Sequence, residues 1–347
     1  MNIQQFKIKY LHPLKMFYYN IEISVFGAWR FFLKQEKHQE KALINKYYNN
    51  PKGTNIPYDI VFICNGYTWH GGLADRLKGI ISVYEWCKIN NRSFKIYFTH
   101  PFQLQKYLVP NNYNWFIEEK NISYSYIDTF PKVCLMEPRT CNKKKVIDNQ
   151  NKLLTKWCDD NLHIDSKQIH IYTNMYRELK NFSILFNELF RPSDRLQKEI
   201  DYNLHNINGI YISISFRFTT IMGDFTDCTG YEYTEEGKVQ LMQDCIKAII
   251  EIKKSAPRHD QILITADSKR FLEYARNNLE GIYIIPGKTG HIDYNSDDEV
   301  NMKTFLDFML ISKAEKVYLV KNKDMYNSAF AKTAAMINNK DFEIHNI

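Results

Sequence analysis

Apolar positions along the chain switch repeatedly between two periods. A continuous apolar run, YDIVFIC at 58–64, has the length and β-branched content of a buried strand. From Leu73 the spacing changes: Leu73, Leu77, Ile80, Ile81 and Tyr84 fall three or four apart, which predicts a helix. SFKIYF at 93–98 returns to strand character. Strand, helix and strand in succession imply a parallel sheet. The last third repeats the alternation. GIYISISFR (209–217) reads as a strand. Residues 234–254 read as a helix, with Thr234 as N-cap and Val239, Met242, Ile246, Ile249 and Ile250 on one face. QILITAD, SKRFLEYARNNL, GIYIIP, DEVNMKTFLDFMLISKA, KVYLV and NSAFAKTAAMIN follow as strand, helix, strand, helix, strand and helix. This is the pattern of a doubly wound α/β domain.

The middle is less periodic. IHIYTNMY (169–176) predicts a strand, and FSILFNELFRPSDRLQKEIDYNL predicts helix on either side of Pro192. Residues 1–50 read as helical and run into YYNNPKGTN, whose Asn, Pro and Gly mark a linker. The expected organisation is a helical extension over 1–57, a Rossmann-like domain over 58–205 and a second over 206–347. The two Rossmann-like domains are expected to face a cleft.

Composition narrows the class. With 347 residues, 44% hydrophobic and 24% charged, the chain suits a globular protein with full cores, and its length suits two domains. The net charge of +7 favours an anionic ligand or a membrane surface, but basic residues form no dense tract beyond Lys143–Lys145, which argues against nucleic acid. Seven cysteines (Cys64, Cys87, Cys134, Cys141, Cys158, Cys228 and Cys245) form no CxxC pair and no zinc spacing. Reduced, buried thiols are expected. MNIQQFKIKYLHPLK has no signal-peptide h-region. In the segment 16–33, Asn20, Glu22 and Arg30 argue against a bilayer span. Phe17, Ile21, Val25, Trp29 and Phe32 share a helical face there. That face either packs on its own domain or lies on an anionic membrane, with flanking lysines. Abundant Asn, Ile, Lys and Tyr fit an AT-rich bacterial gene, and the missing signal and basic N-terminus suit a cytoplasmic protein, peripheral at most to the inner membrane.

Ligands of open parallel sheets bind beyond the carboxyl ends of the strands. The residues placed there are chemically coherent. The strand at 209–216 runs into Arg217, with Ser215 inside its end; that at 261–266 runs into Asp267. KVYLV leads through KNKDMYNS to a helix start at Asn327 and Ser328, and the first strand leads through Asn65 to His70, Gly71, Gly72 and Asp75. A guanidinium holds two phosphate oxygens at once. A helix N-terminus offers free N–H groups to the same anion. A carboxylate accepts hydrogen bonds from guanine N–H donors. Gly71 and Gly72 allow close approach of backbone to ligand, or a positive φ. The ensemble suits a nucleotide diphosphate.

"GGLADRLKGI" after a strand, "SISFRFTTIMGDF", "ILITADSKRFLEYAR" and "MYNSAFAKTAA", in this order and each at a strand end, resemble the motifs of the GT-B fucosyltransferases. That superfamily contains the bacterial nodulation, α1,2- and protein O-fucosyltransferases. The resemblance covers about residues 58–90 and 209–340. It implies a GT-B fold and an inverting, metal-independent transfer from GDP-fucose, with no cofactor beyond the nucleotide-sugar. Arg217 would grip the β-phosphate and stabilise the leaving diphosphate, Asp267 would read guanine, Ser328 would donate to phosphate, and Asp75 would lie against sugar or acceptor. Two positions depart from the pattern. The family's histidine two residues before the arginine is Ser215 here, and FTTIMGD lengthens the loop that carries Asp224.

The proton acceptor stays open among Asp75, Asp224, Asp227, Glu232 and His70, with Asp224 first because it follows the arginine strand. Asp75 equally suits the first turn of a helix, and Asp267 and Ser328 equally suit helix caps. His291 and Asp293 do not form a ligand set; Asp297, Asp298 and Glu299 read as the acidic start of a helix. GKTG lacks the rest of a P-loop. The expected activity is transfer of fucose to a sugar hydroxyl of a bacterial surface polysaccharide such as lipopolysaccharide. GDP-mannose or a UDP-sugar as donor, or a glycan-binding protein on a degenerate transferase fold, are the alternatives.

Overall fold

The structure, a computed structural model, describes residues 28–52, 59–135, 153–164, 166–225, 231–256, 261–290 and 297–347, with Leu14, Phe17, Tyr18 and Ile21. The chain forms two compact units, Met1–His70, Asp75–Phe98 and Trp115–Lys180 in the first, Gly71–Ala74, Thr99–Asn114 and Asn181–Ile347 in the second. This differs from a division at 205/206. Residues 181–205 belong with the second unit because Ser183 Oγ and Asn187 Nδ2 both donate to the Ile337 carbonyl, at 2.7 and 3.0 Å. Residues 99–114 do so because the Tyr107 ring stacks on Phe305 at 4.5 Å.

The first unit is built on a parallel sheet of β1 (Asp59–Cys64), β2 (Phe94–Phe98), β4 (Thr129–Cys134) and β5 (Gln168–Thr173), in the order β2-β1-β5-β4. Ile60 lies opposite Phe94 on one side and Ile169 on the other. Every residue of β1 and β5 is buried, as both covered faces of a parallel sheet require. Helix α2 (Leu73–Ile89) lies where the period changes. It is buried nearly all round, on Val83, Trp86 and Cys87 as well as the predicted face. At Gly79 a Cβ would stand 3.1 Å from the Met175 carbonyl oxygen, so the missing side chain lets helix and chain meet closely.

Helix α1 (Ala28–Tyr47) lies in the stretch read as helical, whereas a helical stretch at 153–161 was not read from periodicity. Between them lies a buried carboxyl. Glu36 Oε1 accepts the Trp157 indole N–H at 2.7 Å, while Glu36 Oε2 is buried with no hydrogen-bond partner. Burial, with Glu40 adding to it and Trp157 opposing, pushes the Glu36 pKa up to about 7. A carboxyl raised from 4.5 in this way stabilises the fold fully below 4.5, and that contribution is lost as pH rises through about 7. Glu36→Gln copies the protonated form. It is expected to leave the melting temperature unchanged near pH 4.5 and to raise stability by up to about 3 kcal/mol above pH 7. Equal melting shifts at both pH values would contradict this. In the same core His170 is held neutral, its pKa pushed down to about 3 by burial. Its Nε2–H donates to Gln168 at 2.9 Å and its Nδ1 accepts from Tyr48 at 2.7 Å.

The second unit holds β7 (Tyr211–Phe216), β8 (Gln261–Ala266), β9 (Ile282–Tyr283), β10 (Lys316–Lys321) and β11 (Asp341–Asn346), all parallel in the order β11-β10-β7-β8-β9. The chain starts at β7, moves outward through β8 and β9, then returns to β10 on the other side. The direction reverses between β7 and β10. Ile212, Ile214 and Phe216 point into the core formed with α5 (Glu235–Ser255) and α6 (Lys269–Asn278). On the other face Tyr211 Oη donates to the Leu310 carbonyl of α7 (Asp298–Lys313) at 2.6 Å. Thr234 caps α5 as the sequence puts it, accepting from Gly237 N–H; Asp297, read with the acidic first turn of α7, is its N-cap and accepts from Glu299 N–H at 2.9 Å. Pro192 ends a short strand β6 (Phe190–Pro192), paired antiparallel with β3 (Leu108–Pro110). It separates α3 (Phe182–Leu189) from α4 (Asp194–Ile207).

Five of the cysteines, Cys64, Cys87, Cys134, Cys158 and Cys245, are buried free thiols; Cys141 and Cys228 lie outside the described residues. Among the described residues no helix is long and apolar enough to cross a membrane. Of the apolar face read at the N-terminus, Phe17 and Ile21 are exposed; the side chains of Val25, Trp29 and Phe32 lie outside the described residues.

Candidate functional site

A doubly wound sheet offers its ligand crevice where the strand order reverses, which in the second unit is beyond the ends of β7 and β10. Arg217 is the first residue after β7. Its carbonyl oxygen accepts the Tyr326 N–H at 3.1 Å, which ties the loop after β7 to the loop after β10. The second loop is shaped by Asn322, whose Oδ1 accepts the N–H groups of Asp324 and Met325, both at 2.9 Å. Such a side-chain turn is what Asn supplies. It leads into α8 (Ala329–Ile337), where Ser328 is the N-cap and accepts from the Phe330 N–H at 3.2 Å. The backbone of Arg217 is thereby tied to Tyr326, two residues before the cap of α8. Asn327 is exposed beside the cap.

Asp267 underlies this arrangement. Its Oδ1 accepts the Phe218 N–H and its Oδ2 the Thr219 N–H, each at 2.8 Å, and Oδ2 also faces Arg217 Nη1 at 3.2 Å. The carboxylate is buried, its side chain 4% exposed against 21% for Arg217. Burial raises the Asp267 pKa, with Arg217 and the two N–H groups opposing. Thr219 has φ of 56°, a conformation uncommon for a β-branched residue. The Asp267 carboxylate holds it there, and local strain of this kind gathers at functional sites. The Arg217 guanidinium also lies 4.6 Å over the Phe225 ring. Its position is set from two sides.

The other expected donor residues are placed as follows. Ser215 is buried, its hydroxyl 2.8 Å from that of Thr265 on β8. Asp224 is a helix cap: its Oδ2 accepts from Ser268 Oγ at 3.0 Å and from the Arg270 N–H at 2.8 Å, at the start of α6. A carboxylate at a helix N-terminus with two donors has a structural job. Glu232 is bound to Lys238 at 2.6 Å, and Lys238 and Arg270 share Glu235, at 2.8 and 2.7 Å. These pairs tie the loop after β7 to the first turns of α5 and α6. Asp227, His291 and Asp293 lie outside the described residues. Among the described residues no three or more His, Cys, Asp or Glu side chains gather as a metal site.

In the first unit the corresponding reversal lies between β1 and β5. His70 is buried beyond the end of β1. The Thr173 carbonyl, 3.1 Å away, can only accept, so Nδ1 carries the proton and Nε2 faces the Thr68 hydroxyl at 3.2 Å. Asp75, in the first turn of α2, is 40% exposed and ion-paired with Lys78 at 2.9 Å. Gly71 and Gly72 do not adopt positive φ, and a methyl group on Gly72 would meet no heavy atom within 4 Å. Neither glycine is there to supply a positive φ. Sequence reading missed Thr219, Phe225, Lys238 and Tyr326. Each acts through a partner distant in sequence or through its backbone, and no motif spacing reports that.

Two Rossmann-like units, each with a parallel sheet that reverses beside a polar strand end, define the GT-B fold. Solved structures of that fold match the chain. It is similar to the crystal structure of NodZ alpha-1,6-fucosyltransferase co-crystallised with GDP, at 15% identity and a TM-score of 0.52 over 81% of this chain and 92% of that one. It is similar to fucosyltransferase NodZ from Bradyrhizobium at 14% identity and 0.52, with the same coverage. POFUT1 in complex with GDP matches at 10% identity and 0.50, over 84% of this chain and 99% of that one. What is shared at such identity is the fold. No family model and no curated protein matches the chain by sequence.

Proposed function

We propose that the protein is an inverting glycosyltransferase that takes a nucleotide-diphospho-sugar, GDP-fucose in the first instance, and transfers the sugar to a hydroxyl of a surface glycan. The observation that carries this is the Arg217 constellation at the reversal point of the second unit: a guanidinium held by buried Asp267, with its carbonyl tied two residues before the α8 cap. In the reaction the bond from the anomeric carbon to the diphosphate oxygen breaks, and the electron pair leaves with GDP. The acceptor oxygen bonds to that carbon and gives up its proton. Arg217 matches the charge that builds on the departing diphosphate, and the N–H groups at the start of α8, with Ser328 and Asn327, add to it. A guanidinium in this role supplies the charge that a divalent cation supplies elsewhere. Crystal structures of the same fold with bound GDP support the choice of nucleotide.

For the proton acceptor we take Asp75, because Asp224 is engaged as a cap at the start of α6. Asp75 is half-exposed and held in place by Lys78. Calorimetric titration with GDP and UDP, followed by turnover of GDP-fucose, GDP-mannose and UDP-sugars, tests the reading. GDP should bind and UDP should not. Asp75→Asn should retain GDP affinity and lose transfer by roughly 100-fold or more. Preference for UDP would move the donor to the alternative that Ser215 keeps open, since its hydroxyl is engaged by Thr265. Binding of neither nucleotide would remove the transferase reading.

A further inference from the structure

The loop after β1, NGYTWHGG at 65–72, exposes two large aromatic side chains, Tyr67 and Trp69, at 37% and 53%. Neither belongs to the proposed donor site. The loop is not loosely held. Gly66 turns it with φ of 84°, and Asn65 Oδ1 accepts the Tyr67 N–H at 3.1 Å. Asn65 Nδ2 donates to the Tyr124 hydroxyl at 3.0 Å. The Tyr67 ring lies parallel to Tyr47, with centroids 3.6 Å apart and planes within 4°, and Tyr124 flanks it at 5.8 Å. Trp69 makes no hydrogen bond, ion pair or ring contact among the described residues, while Trp86, Trp115 and Trp157 are buried. An exposed indole beside a fixed tyrosine stack, at the end of a strand where the sheet order reverses, is costly surface to leave in water.

We propose that Tyr67 and Trp69 form an aromatic platform that binds a pyranose ring of a neutral oligosaccharide. A pyranose presents a C–H face and a rim of hydroxyls. The loop offers ring faces with polar groups beside them in sequence, Asn65, Thr68 and, at the start of α2, Asp75. Residues 65–72 contain no Lys or Arg, and Lys46, 4.9 Å over the Tyr47 ring, is a single cation on the far ring of the stack, too little for a phosphorylated or nucleic-acid ligand. Rigid Tyr and Trp side chains give contact area at low entropic cost. That the bound oligosaccharide is the sugar acceptor rests on the proposed transferase function; its binding to the two rings does not.

The test uses the full chain with tetramers of glucose, galactose and N-acetylglucosamine as probes. With wild type, at least one should give a saturable change in tryptophan emission at about 10 mM or below. Trp69→Ala should abolish that optical signal. By calorimetry, Tyr67→Ala and Trp69→Ala should each weaken binding roughly five- to tenfold. GDP affinity should be unchanged in both variants. Wild-type affinity in both variants overturns the platform, and so does absence of binding to every tetramer by wild type. Oligosaccharide binding that depends on Trp69 without any GDP binding upholds the platform and removes the transferase reading.

Discussion

Arg217→Ala is expected to abolish measurable GDP binding and to lower transfer by roughly 100- to 1000-fold, the usual size for loss of a charge-stabilising group. Arg217 Nη1 lies 3.2 Å from the Asp267 carboxylate, which fixes the guanidinium beside the end of β7. Arg217→Lys keeps a positive charge but has no planar fork, so it should recover only part of the affinity. Stability should respond differently. Removing Arg217 takes away the group that opposes the burial-raised pKa of Asp267. A carboxyl whose folded pKa is raised stabilises the fold below its unfolded value and loses that contribution as pH rises. The deficit in melting temperature of Arg217→Ala should therefore widen with rising pH. GDP affinity equal to wild type in Arg217→Ala would dissociate the arginine from the nucleotide.

The sequence carried the sheets further than the site. β8 and β10 are largely apolar runs with polar residues at their ends, β7 is broken only by Ser213 and Ser215, and burial on both faces makes such runs legible without partners. Helix starts at Thr234, Asp297 and Ser328 were legible because capping is a local rule. β4 and β11 were not: TFPKVC contains proline and lysine, and DFEIHN is largely exposed, so neither shows a strand period. The extent of the second unit was hidden for a related reason. Tyr107 and Phe305 are 198 positions apart, and their stack leaves no trace in local spacing. In the site, Arg217 and Ser328 could be placed from strand ends alone. The work of Asp224 could not, since its Oδ2 reaches Ser268 and Arg270, across 44 and 46 positions. Asp267 was legible as a strand-end carboxylate but not as a brace.

That distinction between reading a base and bracing an arginine makes Asp267→Asn the most informative substitution. Both carboxylate oxygens accept backbone N–H groups, and one also faces Arg217. An amide has one oxygen, so its NH2 group must face either the Phe218 N–H or the Thr219 N–H and the guanidinium together, donor against donor. Either Phe218 or Thr219, whose φ is 56°, then loses the acceptor of its N–H. A buried N–H without a partner costs about 1–3 kcal/mol, and an arginine without its counter-ion adds to that. The expected loss is about 3 kcal/mol, a fall of roughly 10 °C in melting temperature. GDP affinity should fall with it, because the guanidinium is no longer aimed. A carboxylate that only read guanine would behave otherwise: its amide variant would keep wild-type stability and shift the preference between GDP and UDP. Calorimetric melting and nucleotide titration on one sample separate the two. An unchanged melting temperature would end the role of Asp267 as the brace beneath Arg217.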